Sequence, residues 1–323
     1  MPMPPLRDPN RLALKIWSYL RGVVIGGLLG GTLLVVNLLQ TLSLVVKPFS
    51  GQTFRRLNRF AANTWWGWCV LAFERVYGFE LKVSGDAIPM RENAVVFANH
   101  QQMTDIILLL SLARSRDRLG DIKWFVKHPI KFVPGVGWGM VFLDAVFVKR
   151  DWAADRQSIA KTFAHLTDNH VPLWLILFPE GTRFAPHKLG RSHSYALEHG
   201  LHAPDHTLLP RVKGFVASMH GLRQHADAVY DVTIIYKNGV PTLWQYLRGF
   251  VDSAELHVRR YPMSELPQDD AVLSKWLYER FADKDRLLGH TYPSLQVSRE
   301  SRSRPALSFG QPQATQASQP DSP

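Results

Sequence analysis

Two short polar runs hold the residues in this chain best able to do chemistry. One is Asn99-His100-Gln101-Gln102-Met103-Thr104-Asp105; the other is Phe178-Pro179-Glu180-Gly181-Thr182-Arg183. An imidazole titrates near neutrality, so His100 is suited to take a proton from a hydroxyl. A positioned base of this kind contributes about 10²–10⁴-fold to a rate. Asp105, bound to the far ring nitrogen, would fix the tautomer and stabilise the imidazolium. Arg183 offers planar donors that pair with a phosphate. Gly181 lets backbone approach closely and Thr182 offers a hydroxyl. Glu180 would orient Arg183 or take a hydroxyl of the bound molecule, and Pro179 stiffens the turn. The chemistry implied is deprotonation of a hydroxyl beside a cationic pocket for an anion.

These groups must be positioned by what precedes them. Ala94–Ala98 and Leu173–Leu177 are apolar, strand-like runs leading into the two polar runs. In an open α/β sheet, ligands bind in the crevice outside the carboxyl ends of strands. Five residues of continuous helix would set His100 and Asp105 about 140° apart. They can meet only with His100 on a strand-to-helix turn and Asp105 in the first helical turn.

The rest of the chain alternates in kind. Phe79–Val83 reads as a half-buried strand with a turn at 84–86, Ile106–Ala113 as a helix and Ile122–Val126 as a strand. Pro134–Gly139 reads as a loop, Ala145–Val148 as a strand, and Asp151–Leu166 as a helix capped by Asp151. A helix around Ser194–His199, a short strand at Leu208–Leu209, a helix over Gly214–Gln224 and a buried strand over Val229–Tyr236 follow. Glu255–Tyr261 reads as an outer strand and Asp269–Leu288 as a terminal helix. This alternation predicts an α/β fold, a mixed, mostly parallel sheet flanked by helices.

Four blocks resemble the glycerolipid acyltransferase family, which includes the 1-acylglycerol-3-phosphate acyltransferases. They are His100 to Asp105; Val133-Pro134-Gly135-Val136-Gly137-Trp138 with Val146-Phe147-Val148-Lys149-Arg150; Phe178 to Arg183; and Leu208-Leu209-Pro210-Arg211-Val212-Lys213-Gly214-Phe215. The resemblance implies an enzyme that moves a fatty acyl group from acyl-CoA or acyl carrier protein to the hydroxyl of a lysophospholipid. The best single acceptor is 1-acyl-sn-glycerol-3-phosphate, giving phosphatidic acid. His100 and Asp105 would be catalytic; Glu180, Gly181, Thr182 and Arg183 would hold the acceptor. Arg150 would add a phosphate contact and Pro210 would shape the acyl or acceptor channel. Another lysophospholipid acceptor is an alternative, as is a non-catalytic lipid-binding protein, which would have no need of the base. A hydrolase would want a nucleophile elbow, and no Gly-x-Ser-x-Gly occurs.

Composition bounds the setting. A net charge of +11 favours an anionic partner, yet no zinc-finger spacing, aromatic RNA-binding signature or concentrated basic helix points to nucleic acid. Gly22–Val46 carries no charged side chain between Arg21 and Lys47, about the length that spans a bilayer as a helix. It exceeds a signal-peptide core, and no small-x-small site precedes Lys47. Gly22, Gly26 and Gly30, with Gly27 and Gly31, would let a second helix approach, and Phe60–Val76 with its Trp65, Trp66 and Trp68 is the candidate. Basic residues flank Gly22–Val46 on both sides, so a re-entrant or interfacial pair of helices fits as well as a span. The resulting division is residues 1–76 as membrane-anchoring helices, 77–296 as the catalytic domain and 297–323 as a disordered tail. The expected setting is a bacterial inner membrane, with membrane lipids as partners and, from the resemblance, the catalytic domain on the cytoplasmic side. The lone Cys69 permits no intrachain disulfide. Gly200 and Pro204 break any helix that would align His199, His202 and His206, so no metal is expected; Gly135, Gly137 and Gly139 form no Gly-x-Gly-x-x-Gly fingerprint and no Walker A loop occurs, so no cofactor is expected.

Overall fold

The computed structural model describes residues 11–149 and 151–291. Arg150 and the tail 297–323 lie outside the described residues. The chain opens with α1 (Leu12–Leu42), prolonged by a 3₁₀ turn at Ser43–Val45. Next comes α2 (Gly51–Leu71), capped by the Ser50 hydroxyl accepting the Thr53 N–H at 3.1 Å and ending in a π-turn at Ala72–Val76. Then follow β1 (Glu80–Gly85), β2 (Ala94–Ala98), α3 (Asp105–Ser115), β3 (Ile122–Lys127), α4 (Val136–Phe142), β4 (Val146–Val148) and α5 (Trp152–Asp168). The remainder is β5 (Trp174–Leu177), α6 (Pro186–Glu198), α7 (Val212–Leu222), β6 (Ala228–Ile235), α8 (Leu243–Leu247), β7 (Ser253–Pro262) and α9 (Asp270–Thr291).

Among the described residues the strands form one sheet in the order β1-β7-β6-β2-β5-β3-β4. Every neighbouring pair is parallel except β6 with β7, so the sheet is mixed and mostly parallel. β2 is buried on both faces, which is why it reads as an unbroken apolar run. Its Ala94, Val96 and Ala98 face a core shared with Trp66, Val70, Leu108 and Leu112 of α2 and α3. Val95 and Phe97 face a second core with Phe163 of α5, Phe215 and Met219 of α7, and Leu277 and Phe281 of α9.

The register decides where the site falls. β2 lies between β5 and β6 and parallel to both, with Phe97 opposite Leu177 and Ala98 opposite Val232. The residues following β2, β5 and β6 therefore emerge side by side.

Several elements differ from the sequence reading: residues 84–85 continue β1 rather than turning, and α6 begins at Pro186, well before Ser194. Pro134–Gly139 is not a loop throughout, because Gly135 turns with φ +79° and starts α4. Gly137 sits so close beneath the chain that a Cβ there would lie 1.9 Å from the Ile130 carbonyl oxygen. Leu208–Leu209 forms no strand; its amides are taken by side chains of Glu180 and Ser192. β7 alternates as expected but is not an outer strand, since β1 covers its far edge. Alternation reports one wet face, not an open edge.

The apolar N-terminal stretch starts earlier than the charge pattern suggests. Leu12–Val45 is long and apolar enough to cross a membrane. Its buried positions are mostly small or polar: Ser18, Gly22, Val36, Asn37, Gln40 and, in the 3₁₀ turn, Ser43. Its outward face is apolar, with Val24, Leu28, Val35, Leu38, Leu39 and Leu42 exposed. The helix lies against the protein along its length. Gly22 seats Trp244 and Arg248, the Trp65 indole donates to the Leu29 carbonyl at 3.0 Å, Leu33 covers Gly135, and Asn58 donates to the Ser43 hydroxyl at 2.9 Å. A Cβ at Gly27, Gly30 or Gly31 would meet nothing within 4 Å, so this glycine series does not seat the second helix. Of the expected tryptophan cluster, Trp68 is exposed, while Trp66 is buried edge-on to Trp124 at 6.4 Å. With Ala62, Val70 and Phe73, Trp66 belongs to the main core, so that core continues across residue 76.

Candidate active site

His100 lies on the turn between β2 and α3, and Asp105 opens α3. His100 Nδ1 is 2.9 Å from Asp105 Oδ2. A carboxylate can only accept, so Nδ1 carries the proton and Nε2 is left bare. Asp105 is fully buried, and its charge is compensated by donors rather than water. Oδ2 also accepts from the backbone N–H of Gln101 at 2.6 Å and of Gln102 at 2.9 Å; Oδ1 accepts from the Tyr236 hydroxyl at 2.8 Å. One face of the imidazole stacks on Phe178, with centroids 4.0 Å apart and planes 18° from parallel. The ring is held by its edge and by its face.

Asn99 secures the turn from beneath. Its amide exchanges two hydrogen bonds with the Ile234 backbone, at 2.7 and 3.2 Å, and Gln101 Nε2 donates to the same carbonyl at 2.9 Å. β6 is thereby fastened to the segment carrying His100.

The second polar run closes over this turn. The Phe184 N–H donates to the His100 carbonyl at 2.7 Å, and Arg183 donates to Gln102 Oε1 at 2.6 Å. Arg183 is exposed beside the His100 turn, with its guanidinium open to solvent. Gly181 adopts φ +67°, a conformation glycine accepts without strain, and the Arg211 side chain lies across it. The Arg211 N–H also donates to the Pro179 carbonyl at 2.8 Å. Lys188, from the first turn of α6, reaches Thr182 Oγ1 at 2.8 Å and the Arg183 carbonyl at 2.7 Å. Arg183, Arg211 and Lys188 thus surround one turn.

Glu180 takes a place the sequence reading did not give it. It is buried, bound neither to Arg183 nor open to a ligand hydroxyl. Oε1 accepts the His100 N–H at 2.7 Å and Oε2 accepts the Leu208 N–H at 3.0 Å. Burial pushes its carboxyl up to about 8, against the opposing pull of those two amides. Glu180 therefore joins the His100 turn to the segment before Pro210, which is itself buried. That segment is tethered at its other end by Asp285 of α9. Asp285 accepts the N–H groups of Asp205 and His206 at 2.8 and 2.6 Å, and His202 Nε2 at 3.0 Å. Burial raises the Asp285 carboxyl, but the hydrogen bonds from His206 and His202 prevail and hold it at about 2. Of the histidines singled out by sequence, His202 and His206 form this clasp, while His199 stacks on Tyr195.

Tyr236, Phe178, Gln102 and Lys188 are the participants for which sequence reasoning assigned no role. Phe178 and Gln102 lie within the two polar runs and Tyr236 is a polar tip at the end of the buried strand 229–236, whereas Lys188 left no signal. Arg150 cannot be placed, being outside the described residues.

With this geometry in view, the relatives of the chain can be set beside it. A family model described as Acyltransferase matches residues 80–237, and one described as Acyltransferase C-terminus matches residues 245–298. The chain is 33% identical to the 1-acyl-sn-glycerol-3-phosphate acyltransferase 3 of Arabidopsis thaliana, over 85% of this chain and 75% of that protein. It is 36% identical to the 1-acyl-sn-glycerol-3-phosphate acyltransferase delta of Mus musculus, over 78% of this chain and 68% of that one. A crystal structure of the 1-acyl-sn-glycerophosphate (LPA) acyltransferase PlsC from Thermotoga maritima is similar at a TM-score of 0.42 and 16% identity, covering 84% of this chain and 96% of that chain. The chain belongs to the acyltransferase family, and the protein is an acyltransferase. The two relatives are a plant and a mouse protein, so a bacterial membrane rests on the sequence reading alone.

The Glu180 geometry gives a direct expectation. Glu180→Gln sets an amide NH₂ against one of two backbone donors, which leaves that donor unpaired at about 1–3 kcal/mol. Turnover should fall roughly 10-fold or more while the acceptor KM stays within about twofold. A raised acceptor KM at unchanged kcat would instead place Glu180 in acceptor binding.

Proposed function

We propose that the protein transfers a fatty acyl group from an acyl thioester, acyl-CoA or acyl carrier protein, to the free hydroxyl of 1-acyl-sn-glycerol-3-phosphate. The carrying observation is His100 Nδ1 at 2.9 Å from the buried Asp105, beside exposed Arg183, in a chain so similar to enzymes named for that acceptor. His100 Nε2 takes the acceptor hydroxyl proton as the oxygen attacks the thioester carbonyl. The tetrahedral intermediate collapses, the carbon–sulfur bond breaks, and the imidazolium returns the proton to the departing sulfur. Phosphatidic acid and a free thiol leave. Arg183 pairs with the acceptor phosphate, with Gly181 and Thr182 lining the same turn and Pro210 shaping the wall next to Arg211. An acyl-enzyme on cysteine is disfavoured, because burial pushes the Cys69 thiol up to about 12.

We further propose that the protein docks on the cytoplasmic face of a membrane with α1 lying in the plane of the interface. The reversed polarity of α1 supports this, since its polar stripe is against the protein and its apolar stripe is free. Phe132, Val133, Val136, Trp138 and Val141 extend the exposed apolar surface from α1 onto α4 and the turn before it. That turn follows β3, at the same sheet end as His100. The acceptor would thus enter from the bilayer and the donor from water.

His100→Ala should reduce kcat by about 10³-fold or more with an unchanged melting profile; retained turnover would reject the base. Arg183→Lys should raise the KM for the phosphorylated acceptor roughly 10-fold with little change in kcat, and an unmoved KM would exclude Arg183 from phosphate recognition. Each outward leucine contributes on the order of 2 kcal/mol when buried in lipid. Leu28→Asp with Leu39→Asp should therefore release the protein from lipid vesicles in a flotation assay, and undiminished flotation would contradict docking through α1.

A further inference from the structure

We infer that Tyr236 is a positioning residue of this acyl transfer, its hydroxyl bond to Asp105 setting how readily His100 gives up its proton. The inference rests on the reading of His100 as the base.

Asp105 distributes its donors unevenly. Oδ2 takes three, from His100 and the amides of Gln101 and Gln102, whereas among the described residues Oδ1 has only the Tyr236 hydroxyl, at 2.8 Å. Tyr236 is the first residue past β6 and is buried. β6 outruns β2, so its end overhangs the His100 turn and presents the phenol to the first residue of α3. Thr104 Oγ1 lies 3.0 Å from the phenol oxygen. Since Asp105 can only accept, the phenol proton goes to Asp105 and the Thr104 hydroxyl donates to the phenol. Burial, and then the Asp105 charge, push the phenol well above its ordinary value, so it stays a donor throughout the working range.

The consequence is electrostatic. A donor on Oδ1 draws carboxylate charge away from Oδ2, the oxygen that stabilises the imidazolium. It also prevents the carboxylate from rotating about its own axis. Without the phenol hydroxyl, Oδ1 is buried and unpaired, charge gathers on Oδ2, and His100 holds its proton to higher pH. A residue that merely filled space could not move that titration.

The test uses the full chain in detergent, with kcat/KM for the lysophospholipid acceptor followed across pH for Tyr236→Phe and, alongside it, His100→Ala. Tyr236→Phe should move the acidic limb up by about 0.5–1 pH unit and lower kcat at pH 7 roughly 10-fold, with both KM values little changed. Replacing Tyr236 with 3-fluorotyrosine keeps the shape and strengthens the donated bond, so the limb should move the other way. If Tyr236→Phe does not fold, the fluorotyrosine protein decides alone. Limbs that stay where they are in the wild type while His100→Ala is dead overturn the role of Tyr236 only. Turnover retained by His100→Ala overturns the base and this inference together.

Discussion

The carboxylate of Asp105 has no access to water, and a charge in that position persists only if protein donors replace its hydration. Four donors do so, and they come from three places: the imidazole of His100, two consecutive amides of the turn, and a phenol from the end of β6. No single segment could provide them. The requirement is met because β2 is sandwiched between two parallel neighbours, so the chain ends of β5 and β6 flank the turn that follows it. The sheet order thus serves electrostatics as much as packing. Glu180, one step out, uses a buried carboxyl group to tie two backbone amides from distant segments.

The N-terminal helix is built with the opposite polarity from a helix of a water-soluble core. Arg248, buried beneath it, is held by the Ser18 hydroxyl at 3.0 and 3.1 Å and by the faces of Tyr19 and Phe250. Arg21 in turn donates to the Arg248 carbonyl at 2.7 Å and lies over Tyr77. Such contacts tie residues 18–22 to the region after α8, while Leu33 and Asn37 rest on α4. The N-terminal helix is therefore packed onto the α/β sheet region through both of its halves. A free transbilayer span would expose these polar side chains to lipid, at a cost of several kcal/mol for each unpaired group.

Much of this was legible in the sequence, where local pattern and local physics coincide. The apolar runs before His100 and Phe178 are strands because both of their faces are buried. The His-x4-Asp spacing is workable only across a strand-to-helix turn, which is where the chain places it. What escaped detection depends on partners far away along the chain. Tyr236 reaches Asp105 across 131 positions, and Glu180 reaches His100 across 80. Neither separation leaves a trace in periodicity. The acid in Glu-Gly-Thr-Arg invited a local pairing with its neighbour Arg183, yet that neighbour is turned outward and pairs with Gln102. The glycines of 134–139 suggested a loop, whereas Gly137 is there because the chain passes within contact of Ile130. The glycines of α1 suggested a helix pair, and only Gly22 supports close packing, against α8.

The proposed acyl transfer requires that Asp105 hold His100 in one tautomer with Nε2 free. Nitrogen-15 NMR of histidine-labelled protein at about pH 8 observes this without reference to activity. A His100 ring protonated at Nδ1 and bare at Nε2, with a downfield Nδ1 proton that disappears in Asp105→Ala, is the result this geometry requires. A ring protonated at Nε2, or one indifferent to the loss of Asp105, would contradict it.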